Sequence, residues 1–473
     1  MAPRGHAFFV IDSFLLLLYH PPMIHIPPRV KRFAGHFHDA GHELYIVGGA
    51  VRDALRKERN SDYDFATSAT PQEVMDLFPR VIPTGIQHGT VTVMFQGEPY
   101  EVTTYRIEHG YSDSRHPDAV SFTRSLHEDL SRRDLTINAM ALDPRTGTVV
   151  DPFGGRDDLR DRRIRTVGSA RERFSEDALR MVRAVRFTTT LRFDPEPDVE
   201  SAIIVLAPTV AAVSVERIAA EFEKMMRAET PSLGWMMLWR TGLLAKIIPE
   251  ILESTAVDGL VEHLFRSCDC SPPDQPHLRW AALLHDIGKP RCSGQDKRGQ
   301  HFIGHDEESA RMAETLLQRL RFPKQFTTRV VHLVRHHMFD YSPDYSDSAV
   351  RRLIARVGVD AIHDLIRLRR ADTCGKSGHL PTHSVMDELQ DRIHRIIAAN
   401  AVLTRSDLAV NGKDLMQYAN IPAGPVVGMV LEELLETVLD DPELNTRERL
   451  LSIAGTFAAQ RLGRDPQESK SAL

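Results

Sequence analysis

The apolar positions change their period along the chain, and the change divides it. Leu44–Val47 (LYIV) is an unbroken apolar run of strand length, stopped by Gly48-Gly49 and followed by AVRDALRK, which has helical composition. That pattern predicts strand, tight turn, helix. Asp62-Tyr63-Asp64-Phe65 alternates, so as a strand it sets both carboxylates on one face and both rings on the other. Pro71–Phe78 reads as a short helix capped by Thr70. The β-branched runs 88–93 and 100–105, joined by Gln96-Gly97-Glu98-Pro99, read as a hairpin. Asp151–Leu159 (DPFGGRDDL) carries Gly and Pro and is expected to be a boundary and hinge. Beyond it the period turns helical. In SEDALRMVRAVRF, laid out at about 100° per residue, Ala178, Met181, Val182 and Val185 share the core side. Arg180 and Arg183 take the opposite face, with Asp177 on the flank beside Arg180. SVERIAAEFEKMM is a further amphipathic helix with Ile218, Phe222, Met225 and Met226 as its stripe.

Chemistry gathers at two places. The paired glycines let the backbone come close to a ligand, and the N–H groups opening the following helix favour an anion. With Asp62 and Asp64 as hard oxygen ligands nearby, the stretch suits a Mg²⁺-nucleotide. Glu101 is either a third carboxylate facing that pair or a solvent-face residue; spacing leaves both open. Arg132 and Arg133 have the make-up of a phosphate clamp, and Asp134 and Asn138 can bond ribose hydroxyls; the plain alternative is a solvated turn. An Asp177 acceptor beside an Arg180 donor complements C and A and opposes U and G, or the two form an ordinary helix salt bridge. Downstream, His263, His285-Asp286 and Asp372 fall on separate predicted helices and make a ligand set for a divalent metal. His305, His336 and His337 are candidates for holding a second ion and binding phosphate, giving a hydrolytic site; core histidines are the alternative.

Bulk properties refine this. A chain of 473 residues is expected to form two to four domains. Its net charge of −6 places any nucleic-acid surface locally. Between Arg156 and Arg186 ten arginines face six acids, a local +4. Four cysteines in so long a chain suggest reduced thiols and a cytoplasmic setting. Cys268 and Cys270 have no second Cys pair to complete a metal site. The apolar run Phe8–Leu18 is broken by Asp12 and too short to span a bilayer. Residues 1–22 are expected to be a poorly ordered extension, or a misassigned start ahead of Met23.

YIVGGAVRDAL…SDYDFAT, EVTTYR, SRRDLTINAMA, DPFGGRDDL and EDALRMVRAVRF, in that order, resemble the class II tRNA nucleotidyltransferases over residues 44–190. These are the CCA-adding enzymes and their bacterial poly(A) polymerase relatives. A weaker likeness runs to residue 455. The resemblance implies an α+β head of polymerase-β type, a mixed sheet with helices, followed by mostly α-helical neck, HD and tail domains. The implied layout is 23–155 head, 156–250 neck with nucleobase and tRNA binding, 251–400 HD domain, 401–463 helical tail and 464–473 disordered end. It implies that Asp62 and Asp64 bind two Mg²⁺ ions, with Glu101 as third carboxylate. Gly48, Gly49, Arg52 and Asp53 would surround the triphosphate. Arg133, Asp134 and Asn138 would select ribose, and Asp177 with Arg180, and Arg183 on the same face, would bind the incoming base.

The series HLFR…HDIGK…H…HH…D resembles the HD phosphohydrolases and implies a divalent transition metal held by His263, His285, Asp286 and Asp372. The implied activity is template-independent addition of C, C and A, or of the terminal A, to tRNA from CTP and ATP. The HD part would act as a phosphatase or cyclic phosphodiesterase on RNA ends. The partners are then the tRNA acceptor end, ATP and CTP, with no membrane and no obligatory protein. Three alternatives stand beside it. One is a poly(A) polymerase, whose extra basic signature is not seen. Another is a CC-adding enzyme, a kind lacking the flexible loop that Glu108–Arg124 supplies here. The third is a phosphohydrolase with a tRNA-binding head, against which the intact Asp-x-Asp argues.

Overall fold

The computed structural model describes residues 24–58, 62–109, 119–297, 299–379, 385–399 and 402–462. The expected extension 1–22, the polar end after 464 and the centre of the Glu108–Arg124 loop lie outside the described residues. The chain divides into two compact units, Met1–Val213 and Ser214–Leu473, so the stretch expected as neck is shared between them.

The first unit opens with α1 (Pro28–Asp39), β1 (Leu44–Val47), α2 (Gly49–Leu55), β2 (Asp64–Thr67) and α3 (Pro71–Leu77). Next come β3 (Val81–Gly85), the hairpin β4 (Thr90–Phe95) and β5 (Glu98–Thr104), and a second hairpin, β6 (Arg106–His109) with β7 (Ala119–Phe122). Then follow α4 (Leu126–Ser131), β8 (Ala141–Leu142), β9 (Val149–Val150), α5 (Gly155–Asp161), α6 (Ala170–Glu176), α7 (Leu179–Leu191) and α8 (Pro197–Leu206). The main sheet runs β3-β4-β5-β2-β1-β8-β9. Only the β2–β5 pairing in it is parallel. Phe33 of α1 seals one face, its ring 5.1 Å from Phe65 and 4.8 Å from Tyr100. Phe65 is thereby fully buried while Asp64 beside it is exposed, as a period of two requires. Thr70 caps α3 in a reciprocal box with Glu73, whose carboxylate accepts the Thr70 N–H at 2.7 Å.

Two expectations change here. Asp151–Leu159 is not an open hinge. Asp151 caps α5 by accepting from the N–H groups of Gly155 (2.8 Å) and Arg156 (2.9 Å). A Cβ on Gly155 would lie 2.3 Å from the Thr136 carbonyl, so glycine is what allows this close packing. The stretch SEDALRMVRAVRF is likewise not one helix but α6 and α7, broken at Asp177 (φ −140°). The Asp177 carboxylate accepts from the Leu179 N–H at 3.0 Å, a local bond that competes with helix continuation. Ala178, Met181, Val182 and Val185 are buried as their spacing predicts.

The second unit is helical: α9 (Val215–Met226), α10 (Ser232–Arg240), α11 (Leu243–Ile247), α12 (Pro249–Leu252), α13 (Leu260–Asp269) and α14 (Pro276–Leu284). A small hairpin (Ser293–Asp296, Gly299–Phe302) precedes α15 (His305–Arg319), α16 (Lys324–His336), α17 (Asp347–Val357) and α18 (Val359–Ser377). It closes with α19 (Val385–Ala398), α20 (Gly412–Tyr418), α21 (Pro425–Asp440) and α22 (Arg447–Leu462). Trp235 and Trp280, 5.8 Å apart, form the centre of its core with Phe222 and Phe265. The expectation of reduced thiols fails for one pair. The close approach of α13 and α18 brings the Cα atoms of Cys270 and Cys374 to 6.1 Å, within disulfide range, and the two are bonded. Cys268 and Cys292 are free. Among the described residues no helix is long and apolar enough to cross a membrane.

Candidate active site and metal centre

In the first unit the chemistry collects around the β1–α2 turn. Gly48 sits at φ 70°, and a Cβ there would lie 3.5 Å from Arg133 Nη1, so the guanidinium is held over the glycine corner. The parallel register of β2 with β5 sets Asp64 directly beside Glu101. Residues in register on neighbouring strands point to the same side of the sheet, which decides the question the spacing left open. Asp62 lies just ahead of β2 rather than within it. The three carboxylates repel one another. Partial desolvation by the surrounding sheet and loops first, then Asp62, push Asp64 above the usual carboxylate range although its surface stays open to water, with Arg133 opposing. The same desolvation, then Asp64 and Asp62, raise Glu101. A divalent cation is the natural relief for such a set, so the residues fit Mg²⁺.

Behind the carboxylates lies a web of arginines. Arg52 donates to Asp53 and to the Asn138 side-chain oxygen, both at 2.8 Å, and its guanidinium stacks 5.1 Å from the Phe187 ring centre. Arg183 pairs with Asp134 at 2.7 Å. Burial would raise Asp134, but Arg183 and the Leu135 N–H hold it far below the usual range. Arg180 bonds Glu176 and the Arg132 carbonyl (3.1 Å), joining α7 to the Arg-Arg-Asp motif. Asp177 stands at the break just ahead of α7, where its carbonyl accepts from the Arg180 N–H at 2.9 Å. Sequence reasoning missed Asp129. It is fully buried and accepts from Arg132 Nη2 (2.8 Å), Arg133 Nη2 (3.3 Å) and the Arg106 N–H (3.4 Å). The signal available was its place four residues ahead of Arg133, one helical turn away.

In the second unit four helices and the loop after α14 converge. His263 comes from α13, His285 and Asp286 from the end of α14, and Asp372 from α18. His263 Nε2 lies 3.2 Å from both His285 Nε2 and Asp372 Oδ1, and His285 Nε2 lies 3.2 Å from Asp286 Oδ2. The other oxygen of Asp286 faces a second group: His305 Nε2 at 3.2 Å and His337 Nε2 at 3.4 Å. Two ligand-sized groups thus share Asp286.

The imidazoles are oriented for this. The Nδ1 atoms of His285, His305 and His337 contact the carbonyls of Ala282 (2.8 Å), Phe302 (2.6 Å) and Val334 (2.7 Å). An Nδ1–H bonded to a carbonyl leaves the Nε2 lone pair facing inward, as metal ligation requires. Asp286 Oδ1, His305 Nε2 and His337 Nε2 are buried and face one another at 3.2–3.4 Å across the second group. Buried polar atoms so arranged fit cations better than a sealed core. Burial works against charge on His285, yet Asp286 and Asp372 push it up to about 9. Burial lowers His263 and His337, favouring the neutral, ligating form. His336 does not join; it lies against His332 with ring centres 4.6 Å apart. Of the adjacent histidines, the one just past the end of α16 is the one turned inward.

The chain matches known families in segments. Residues 44–165 match "Poly A polymerase head domain", 192–254 match "Probable RNA and SrmB- binding site of polymerase A", and 302–454 match a tRNA nucleotidyltransferase domain 2 family. The CCA-adding enzyme of Geobacillus stearothermophilus is 36% identical over 87% of this chain and 92% of its own length. That of Geobacillus kaustophilus is 38% identical with the same coverage. The crystal structure of the Bacillus stearothermophilus CCA-adding enzyme in complex with CTP superposes with a TM-score of 0.71, at 32% identity, over 92% of this chain and 98% of that one. The fold alone is shared with the Thermotoga maritima CCA-adding enzyme complexed with tRNA, at a TM-score of 0.57, 19% identity, and 91% and 96% coverage.

Proposed function

The chain belongs to the family of class II CCA-adding enzymes and poly(A) polymerases, and we propose that it completes tRNA 3′ ends by template-independent addition of C, C and A, or of the terminal A, from CTP and ATP. The observation that carries this reading is the register of Asp64 with Glu101 beside the glycine corner. Asp62, Asp64 and Glu101 would hold two Mg²⁺ ions, which when bound lower the pKa of the attacking hydroxyl and offset charge on the leaving pyrophosphate. Arg133 and the backbone at Gly48-Gly49 receive the phosphates, since a half-buried guanidinium beside an open backbone is a strong anion partner. Asp134 and Asn138, fixed by Arg183 and Arg52, meet the ribose hydroxyls. Asp177 and Arg180 meet the amino and ring-nitrogen edge of C or A; Arg180 exchanges its Glu176 contact for that edge. Basic residues between Arg156 and Arg186 take the acceptor stem by its phosphates. The test supplies CTP and ATP, singly and together, to tRNA lacking its 3′ end, tRNA ending in CC, and an oligo(A) primer. Ordered addition of C, C and A supports full CCA activity, and extension of oligo(A) alone would identify a poly(A) polymerase.

A second activity is favoured by the His/Asp cluster. His263, His285, Asp286 and Asp372 would hold a divalent transition metal, and His305 and His337 with Asp286 a second. Such ions supply an activated water and polarise a phosphoryl oxygen. The reading is an HD-type phosphohydrolase acting on RNA ends. Phosphate release from tRNA ending in a 3′-phosphate, or opening of a 2′,3′-cyclic phosphate to the monoester, each lost in His285→Ala or Asp286→Ala, tests it. Neither reaction with Mg²⁺, Mn²⁺, Ni²⁺ or Co²⁺ would retire it.

A further inference from the structure

A cavity of about 540 Å³ opens beside the His/Asp cluster, and three cations stand on its wall: Lys289, Arg369 and Lys376. None belongs to the ligand set. Lys289 Nζ lies 2.5 Å from Asp286 Oδ2. Arg369 Nη1 lies 3.2 Å from Asp372 Oδ2, and Lys376 Nζ 2.7 Å from Asp372 Oδ1. Arg369 and Lys376 flank Asp372 on α18 at −3 and +4, so one helix face presents the carboxylate between two positive heads. On the cavity wall Asp286, Asp306 and Asp372 balance the three cations. Any divalent ion therefore turns the cavity positive. An ion drawing on the oxygens of Asp286 and Asp372 also competes with these ammonium and guanidinium groups for them, leaving their donors for an incoming anion. The lining also carries apolar groups: Phe302, partly exposed with its ring centre 5.6 Å from Lys289 Nζ, and Ile303 and Met338, 81% and 54% exposed. A cavity of this size holds a ligand the size of a nucleotide.

Resting on the phosphohydrolase reading of this centre, we propose that Lys289, Arg369 and Lys376 form a phosphate-binding subsite selective for a terminal phosphomonoester, the organic part lying on the Phe302–Met338 side. A monoester carries about two negative charges near neutral pH, a diester one. Three cations beside a metal centre therefore favour the monoester. Arg369 offers a planar fork to two phosphate oxygens, which neither lysine can do.

Titration calorimetry on the full chain tests this with Mn²⁺ first, then inorganic phosphate on the Mn²⁺-loaded protein. Arg369→Gln/Lys376→Gln is expected to weaken phosphate binding at least tenfold while leaving Mn²⁺ affinity equal to or tighter than wild type. The single Lys376→Gln, at a half-exposed side chain, gives the same direction with the smallest risk to folding. If the cations only neutralise the carboxylates, the variants tighten Mn²⁺ and leave phosphate affinity unchanged, which overturns the proposal and spares the metal site. If the wild type binds no Mn²⁺, the phosphohydrolase reading falls, and this one with it. Nucleoside 3′-monophosphate and a 3′-phosphorylated RNA oligonucleotide, each against its methyl diester, distinguish a free nucleotide from an RNA end as the source. Monoester preference in either arm supports the subsite, and its absence from both overturns it.

Discussion

The two candidate cation centres of this protein are built by opposite means. In the first unit the proposed ligands are three carboxylates at the end of a sheet, with Asp62, Asp64 and Glu101 all exposed. They are brought together by strand register and flanked by the half-buried Arg133. In the second, histidines and aspartates are sunk between packed helices, with three Nδ1 atoms tied to carbonyls before any ion arrives. Exposed oxygen ligands suit a hydrated hard cation that comes and goes with a nucleotide. Buried, pre-oriented imidazoles suit a resident transition metal. The lesson is that two adjacent inner strands suit a temporary charge clamp, and a helix crossing suits a permanent cage.

The sharpest way to break this contrast is Asp64→Ala. Nucleotide addition is expected to fall by about 10³-fold or more, with tRNA binding retained in a gel-shift assay and metal content of the helical centre unchanged. Next, His337→Ala should lower metal retention after dialysis by at least the roughly 10–100-fold that even an outer-shell loss costs. His336→Ala should leave it unchanged, and equal effects would reject the inward assignment of His337. Third, Asp129→Asn weakens the hold on Arg132 and Arg133, so KM for CTP and ATP should rise roughly tenfold with a smaller fall in kcat. Asp129→Glu should recover part of it.

The smallest effect concerns the frame of the helical centre. Asp364 is buried against His277 (2.8 Å) and Arg329 (2.5 Å); burial would raise it, but these partners lower it to about 2. A depressed carboxylate stabilises the fold above its unfolded pKa and loses that as pH falls through its folded one. Roughly 2–3 kcal/mol, present above about pH 4, should therefore vanish between about pH 4 and 2. Urea unfolding of wild type against Asp364→Asn at pH 7 and at pH 2.5 checks it, the gap closing at the lower pH.

Much of both centres was legible because their ligands sit in short motifs. Gly48-Gly49 with Asp62 and Asp64, and His285-Asp286, announce themselves by local chemistry. Less legible were the features that depend on a partner far along the chain. Spacing left Glu101 open and only the family resemblance named it, until the parallel run of β2 and β5 set it beside Asp64. Asp129 and the cations Arg369 and Lys376 carry no motif of their own, Lys289 is only the last residue of HDIGK, and all four gain meaning from what they touch. The expected continuous helix over Asp177 failed because periodicity reads which face a side chain takes and not the bond its carboxylate accepts from the Leu179 N–H.

By itself the amino-acid order determined the alternation that buries Phe65 and exposes Asp64, the helical stripes of the second half, and which residue types are chemically able to hold metal and phosphate. Those are local matters, governed by a period of 2 or 3.6 and by side-chain chemistry. Tertiary structure alone decided that Glu101 stands beside Asp64, that His337 rather than His336 turns inward, and that Cys270 meets Cys374 across α13 and α18. Such pairings depend on strand register and helix crossing, and both are set by packing between segments widely separated in the chain.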